Sequence, residues 1–187
     1  MSSLRNLLII SLLLSLPLSA SASDNAWISS AAFAFGESDE TVAHDIQRIS
    51  FQKKWRHSWF DGGAWFLGGY WDTGLSRIKA DTGHTGSVYA LSLTPVFRYQ
   101  RDATLSSGVT PFAEAGFGVH LLNGTHIGND SLSTAVQFGP LLGVGIGFGE
   151  RGQYELTYQY TSLGNGDIKK PNDGLDAHML KLGYNFN

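Results

Sequence analysis

Cysteine is absent from the 187 residues. That excludes a disulfide scaffold and a thiolate metal site. It leaves export open, because a closed barrel satisfies its own backbone hydrogen bonds and needs no covalent staple. Charge of one sign is missing too. Thirteen Lys+Arg stand against sixteen Asp+Glu, a net charge of −3, so nothing points to nucleic acid. Beyond the first twenty residues no apolar run is long enough to span a membrane as a helix, since Gly, Ser or Thr interrupts every few positions. Metal spacing is lacking as well: His44, His57, His84, His120, His126 and His178 form neither an HxH nor an HxxxH pair.

The N-terminus does carry a short apolar run. Arg5 forms a basic start, Leu7 to Leu18 an apolar stretch with Pro17 near its end, and Ala20-Ser21-Ala22 a small-x-small site. This pattern predicts a secretory signal peptide over residues 1–22, cut after Ala22. The run is too short for a membrane anchor helix. No Cys follows the cut, which closes the lipoprotein route.

The mature part, residues 23–187, holds most of the chain's 11 Phe, 7 Tyr and 5 Trp, which strands favour, and the chain has 23 Gly. Its alternation has period two. Tyr89, Leu91, Leu93, Pro95, Phe97 and Tyr99 make one apolar face, with Ala90, Ser92, Thr94 and Arg98 on the other. Phe117, Val119 and Leu121 alternate with Gly116, Gly118 and His120, and Tyr154, Leu156, Tyr158 and Tyr160 with Glu155, Thr157, Gln159 and Thr161. Strands are predicted near 26–36, 46–55, 62–76, 87–100, 110–121, 133–147, 153–162 and 176–186. That is an even number, each long enough for the roughly 9–11 residues of a tilted β-span.

The expected fold is therefore all-β: an eight-stranded antiparallel transmembrane β-barrel in a bacterial outer membrane, as a single domain over 23–187. With both termini periplasmic, the outer links 37–45, 77–86, 122–132 and 163–175 are mostly the longer ones, as this class requires. Tyr89 and Tyr99, Trp55 and Trp59, and Tyr70 and Trp71 are read as interfacial aromatics, and Arg98, Glu114 and His120 as a hydrogen-bonded filling of a small lumen. Gly143-Val144-Gly145-Ile146-Gly147 lacks the Lys and helix of a nucleotide loop, so its glycines are read as room for close packing. Alternation alone does not say which face is inside, so a soluble sandwich or a lipocalin-like barrel stays open at this point.

Candidate chemistry sits in the last hairpin. Tyr160 and Ser162 share parity with Tyr154, Leu156 and Tyr158; Asp176 and His178 share parity with Leu180 and Leu182. All four thus fall on the apolar face, at the outer end. A carboxylate and a hydroxyl on such a surface are costly unless they interact or work. The plain alternative is that the apolar band ends here, in headgroup territory.

Several segments carry a resemblance. They are Gly69-Tyr70-Trp71-Asp72-Thr73-Gly74, Leu91-Ser92-Leu93-Thr94-Pro95-Val96-Phe97, Pro111-Phe112-Ala113-Glu114-Ala115-Gly116-Phe117-Gly118-Val119, Asn123-Gly124-Thr125-His126-Ile127-Gly128 and Lys170-Pro171-Asn172-Asp173-Gly174-Leu175-Asp176. In consistent order over roughly two-thirds of the chain, they resemble the PagL-type lipid A 3-O-deacylases, outer-membrane acyloxyacyl hydrolases. The resemblance implies an eight-stranded barrel that removes the 3-linked hydroxyacyl chain of lipid A. It implies a His-x-Ser pair and a later carboxylate as base, nucleophile and orienting acid. The family Ser falls on Ser162, the acid on Asp176, and Asn172 looks like a loop-ordering or oxyanion-side residue.

The pattern also departs. The family His position is Tyr160, Leu163 follows Ser162 where the family usually has Asn, the loop holds about two extra residues, and Asp replaces Glu. Phenol is a poor base at neutral pH, with a pKa of about 10. Two readings follow. In one the barrel hydrolyses an ester of lipid A, with His178 moved in as base: if Ser162 faces Asp176, then Tyr160 faces His178, and the diagonal to Ser162 is about 7–8 Å. In the other the barrel is catalytically degenerate and structural or lipopolysaccharide-binding. No metal or organic cofactor is implied, because a serine mechanism needs none. Lipopolysaccharide and the membrane are the expected partners, and a homodimer is compatible with the sequence.

Overall fold

The structure, a computed structural model, describes residues 27–39, 43–80, 86–128 and 130–186. The expected signal peptide and the terminal Asn187 lie outside these residues. Ten strands follow in chain order: β1 (Ser30–Ser38), β2 (His44–Lys54), β3 (Trp65–Ala80), β4 (Ser87–Arg101), β5 (Val109–Leu122), β6 (His126–Ile127), β7 (Asp130–Ser131), β8 (Val136–Phe148), β9 (Tyr154–Leu163) and β10 (Leu175–Asn185). Eight of them close a barrel in the order β1-β10-β9-β8-β5-β4-β3-β2, every pair antiparallel. The seam pairs the first strand with the last, from Ser30↔Asn185 to Ser38↔Ala177. Ser30 and Asn185 therefore lie at one end of the barrel.

The two-residue period decides the faces. Ile49, Leu75, Leu91, Leu93, Phe117, Val119, Leu142, Val144 and Tyr158 are exposed on the outside. Arg48, Asp72, Ser92, Thr94, Arg98, Glu114, Glu155, Gln159 and Lys181 are buried inside. An apolar outer wall around a charged interior is the inverse of a soluble barrel, and it is what a lipid-facing wall needs.

The interior is packed and paired. Glu114 accepts from Arg98 at 3.0 Å, Lys181 at 2.9 Å, Tyr70 at 2.9 Å and Gln159 at 2.7 Å. Arg98 also reaches Glu155 at 2.6 Å. Arg48 pairs with Asp72 and donates to Ser92 at 2.6 Å. His120 points inward beside the small upper cavity lined by Arg48 and Thr94. Glycines make the room: a Cβ on Gly143 would fall 2.8 Å from the Glu114 Cγ, and one on Gly145 2.5 Å from the Phe112 ring.

Tyr70 corrects one expectation. It is 4 % exposed, inside, and bonded to Glu114, while its neighbour Trp71 is outside. Successive residues of a strand face opposite ways, so both could not join a girdle. Tyr89 stands at the start of β4, and other aromatics band the opposite end, that of Ser30 and Asn185. Trp65 stacks on Tyr99 at 5.2 Å, Trp55 meets Phe97 at 4.9 Å, and Tyr154 meets Tyr184 at 5.5 Å.

The far end carries a hairpin of its own. The β6–β7 hairpin folds over the mouth with Ile127 and Leu132 buried. It is fastened on two sides. His44, fully buried, joins Ser38 Oγ at 2.9 Å to the Ile127 carbonyl at 3.2 Å and the Asp130 carboxylate at 3.3 Å. Opposite, the Asp173 carboxylate accepts from the Ser131 N–H at 2.7 Å.

Candidate active site

The pairing of β9 with β10 sets the cluster. Ser162 lies directly opposite Asp176, and Tyr160 directly opposite His178. All four point outward and are partly exposed, at the end of the barrel away from Ser30 and Asn185. On the other side, flanking pairs Leu141↔Thr161 and Phe138↔Gly164 place Pro140 across from Ser162. Proline has no N–H to donate, so the β8–β9 ladder is interrupted at that point. The Ser162 carbonyl instead leans over Gly139: a Cβ built there would fall 1.7 Å from that oxygen.

The side chains divide into two groups. Tyr160 stands near both Ser162 and Asp176. His178 is turned the other way. Its Nδ1 meets the Tyr158 hydroxyl at 2.6 Å and its Nε2 meets the Asp39 carboxylate at 2.8 Å. Its ring packs against Tyr158 at 5.7 Å and Tyr160 at 5.2 Å between centroids. The histidine does not take the diagonal toward Ser162; hydroxyl and carboxylate partners on two neighbouring strands hold both its nitrogens.

Asn172 lies behind the cluster rather than in it. Its Oδ1 accepts from the Asn165 N–H at 3.2 Å. Asn165, fully buried, donates to the Leu132 carbonyl at 3.0 Å and the Lys169 carbonyl at 2.7 Å. These bonds tie the 164–174 link together and join it to the Leu132 carbonyl of the lid.

Two residues of this surface escape sequence reasoning. Tyr158 shares the outward face but reads as one more interfacial aromatic. Asp39 is 139 positions from His178 in the chain. The signal available was barrel closure itself, which brings the end of β1 against the start of β10 and sets Glu37 opposite His178.

Comparison with known proteins bears on this geometry. The family model described as lipid A 3-O-deacylase (PagL) matches residues 46–185. This chain belongs to the lipid A 3-O-deacylase family. Among its relatives, a lipid A deacylase PagL of Pseudomonas aeruginosa is 31% identical over 162 residues, covering 87% of this chain and 86% of the relative. A lipid A deacylase PagL of Bordetella bronchiseptica is 31% identical over 151 residues, covering 78% and 79%. The crystal structure of the outer membrane enzyme PagL superposes with a TM-score of 0.74 at 26% identity, over 84% of this chain and 99% of that one. Neisserial surface protein A, at 13% identity with a TM-score of 0.54, shares the fold alone. Like these PagL relatives, the chain is a bacterial outer-membrane barrel. The far end, whose links 81–86, 123–135 and 164–174 include the longest, is its extracellular end.

Proposed function

We propose that this protein hydrolyses an ester-linked acyl chain of lipid A, at the outward-facing cluster of β9 and β10. The observation that carries the reading is the direct opposition of Ser162 and Asp176 on the outer wall, at the extracellular rim. Acyl chains of a lipid in the outer leaflet lie along this wall. A polar pair on it costs free energy unless it meets a polar group of the lipid, such as an ester. Membership of the lipid A deacylase family supplies the substrate class.

In this reading Ser162 Oγ attacks the ester carbonyl carbon. Its proton passes to His178, whose ring leaves Tyr158 and swings across Tyr160. The tetrahedral intermediate collapses, the sugar hydroxyl leaves, and His178 returns the proton to it. Water, deprotonated by the same ring, then cleaves the acyl-serine and restores Ser162. Tyr160 is too weak a base for the proton transfer. Its hydroxyl is placed to accept from Ser162 and to donate to Asp176, holding them in register. All these side chains come from one chain, so no second copy is required.

One observation favours a second reading, a barrel that binds lipid A without cleaving it. The His178 Nδ1, the nitrogen that would take the proton, is engaged by the Tyr158 hydroxyl and not by Ser162. The experiment that separates the two is mass spectrometry of lipid A from cells expressing wild type or Ser162→Ala. Loss of one hydroxyacyl chain with wild type, and none with the variant, establishes hydrolysis. Intact lipid A in both, with lipopolysaccharide retained on the purified barrel, establishes the binding reading instead.

A further inference from the structure

We propose that Asp39 is the positioning carboxylate of His178, so that the site spans three strands rather than one hairpin. This rests on the reading that His178 serves ester hydrolysis. The geometry is specific. The Asp39 N–H donates to the Asp176 carbonyl at 2.9 Å, which pins the residue just past β1 against the start of β10. Its carboxylate then reaches His178 Nε2 at 2.8 Å. Asp176 is on the ring's own strand, but it faces Ser162 across the ladder and stands beside Tyr160.

The contact dictates a tautomer. A carboxylate only accepts, so Nε2 must carry a proton when it faces Asp39. The neutral ring then keeps its lone pair on Nδ1, where the Tyr158 hydroxyl donates at 2.6 Å. The basic nitrogen is therefore the one turned toward β9, the strand of Ser162. A carboxylate that fixes the donor nitrogen of an imidazole also stabilises the cation formed when the other nitrogen takes a proton. Asp39 performs this through His178, without touching the ester. A residue just past β1 thereby joins the site.

The test uses the full-length barrel, labelled with 15N-histidine and refolded in detergent micelles. Long-range proton–nitrogen correlation reads the His178 tautomer near pH 8. The expected wild-type signature is a protonated Nε2 and an unprotonated Nδ1. Asp39→Ala mixes the tautomers, and Asp39→Glu restores the wild-type pattern. Asp39→Asn, whose Oδ1 still accepts, keeps the tautomer but loses the charge, and serves if the alanine variant does not refold. In deacylation assays Asp39→Ala lowers kcat by about 100-fold with KM unchanged, the low end of an acid–base contribution. A protonated Nδ1 in wild type, or an Asp39→Ala spectrum and kcat identical to wild type, overturns the assignment. Wild type that cleaves nothing yet shows the expected tautomer response sinks the hydrolase reading and leaves Asp39 as the partner of His178.

Discussion

Gly139 has no side chain, and the Ser162 carbonyl fills the place where one would be, 1.7 Å from a Cβ built there. The single hydrogen of glycine is thus what lets the candidate nucleophile's strand sit against β8 at its unladdered point, beside Pro140. Gly139→Ala forces the seam apart and is expected to destabilise the barrel by about 1–3 kcal/mol, the usual cost of overpacking. Urea unfolding followed by tryptophan fluorescence checks it, and an unchanged midpoint refutes it. Deacylation should fall further than stability does, because the shift is delivered to the Ser162 backbone. Among the site residues, parity alone was enough to read Ser162, Asp176, Tyr160 and His178 onto one shared apolar face. What parity could not convey is where a side chain turns. His178 had two ways to go, and the deciding partners, Asp39 and Tyr158, come from a distant link and from a residue with an ordinary interfacial explanation.

Strands were the most legible elements, since alternation and turn residues bracket them; the predicted 87–100 is the observed Ser87–Arg101, and 176–186 the observed Leu175–Asn185. The β6–β7 hairpin was not legible. Two residues per strand hold no period, and the lid is fixed by tertiary contacts of His44, Asp173 and Asn165. The inner faces of β4, β5, β9 and β10 share one charge network, and its centre is Glu114 between Arg98 and Lys181. Removing that carboxylate leaves the Lys181 cation buried with only the neutral Tyr70 hydroxyl as a partner. Glu114→Ala is expected to cost about 3–5 kcal/mol, as breaking a buried pair does. The measurement is the urea midpoint of the refolded barrel in lipid vesicles, with Glu114→Gln as the milder comparison. A loss under 1 kcal/mol, order of magnitude for an exposed pair, contradicts the view that this network holds the lumen together.

At the scale of the molecule, the wall and the interior exchange the roles they have in a soluble barrel. The wall is tested by Val144→Arg, an outward position midway along β8. In a bilayer this should cost about 2–4 kcal/mol, whereas the same change near a strand end should cost about 0–1. Equal effects at both depths, measured by folding into vesicles, contradict the lipid-facing assignment. The interior is filled, among the described residues, by the paired side chains of Arg98, Glu114, Glu155, Lys181 and Tyr70, beneath the hairpin. Purified barrels in planar bilayers should accordingly show no conductance steps.

The position of Ser162 and Asp176 on the outer wall also changes what substrate concentration means. A lipid that reaches them travels sideways within its leaflet, so encounters are governed by diffusion in two dimensions and by mole fraction rather than molarity. Adding inert detergent at fixed protein and fixed total lipid A should slow turnover through surface dilution alone.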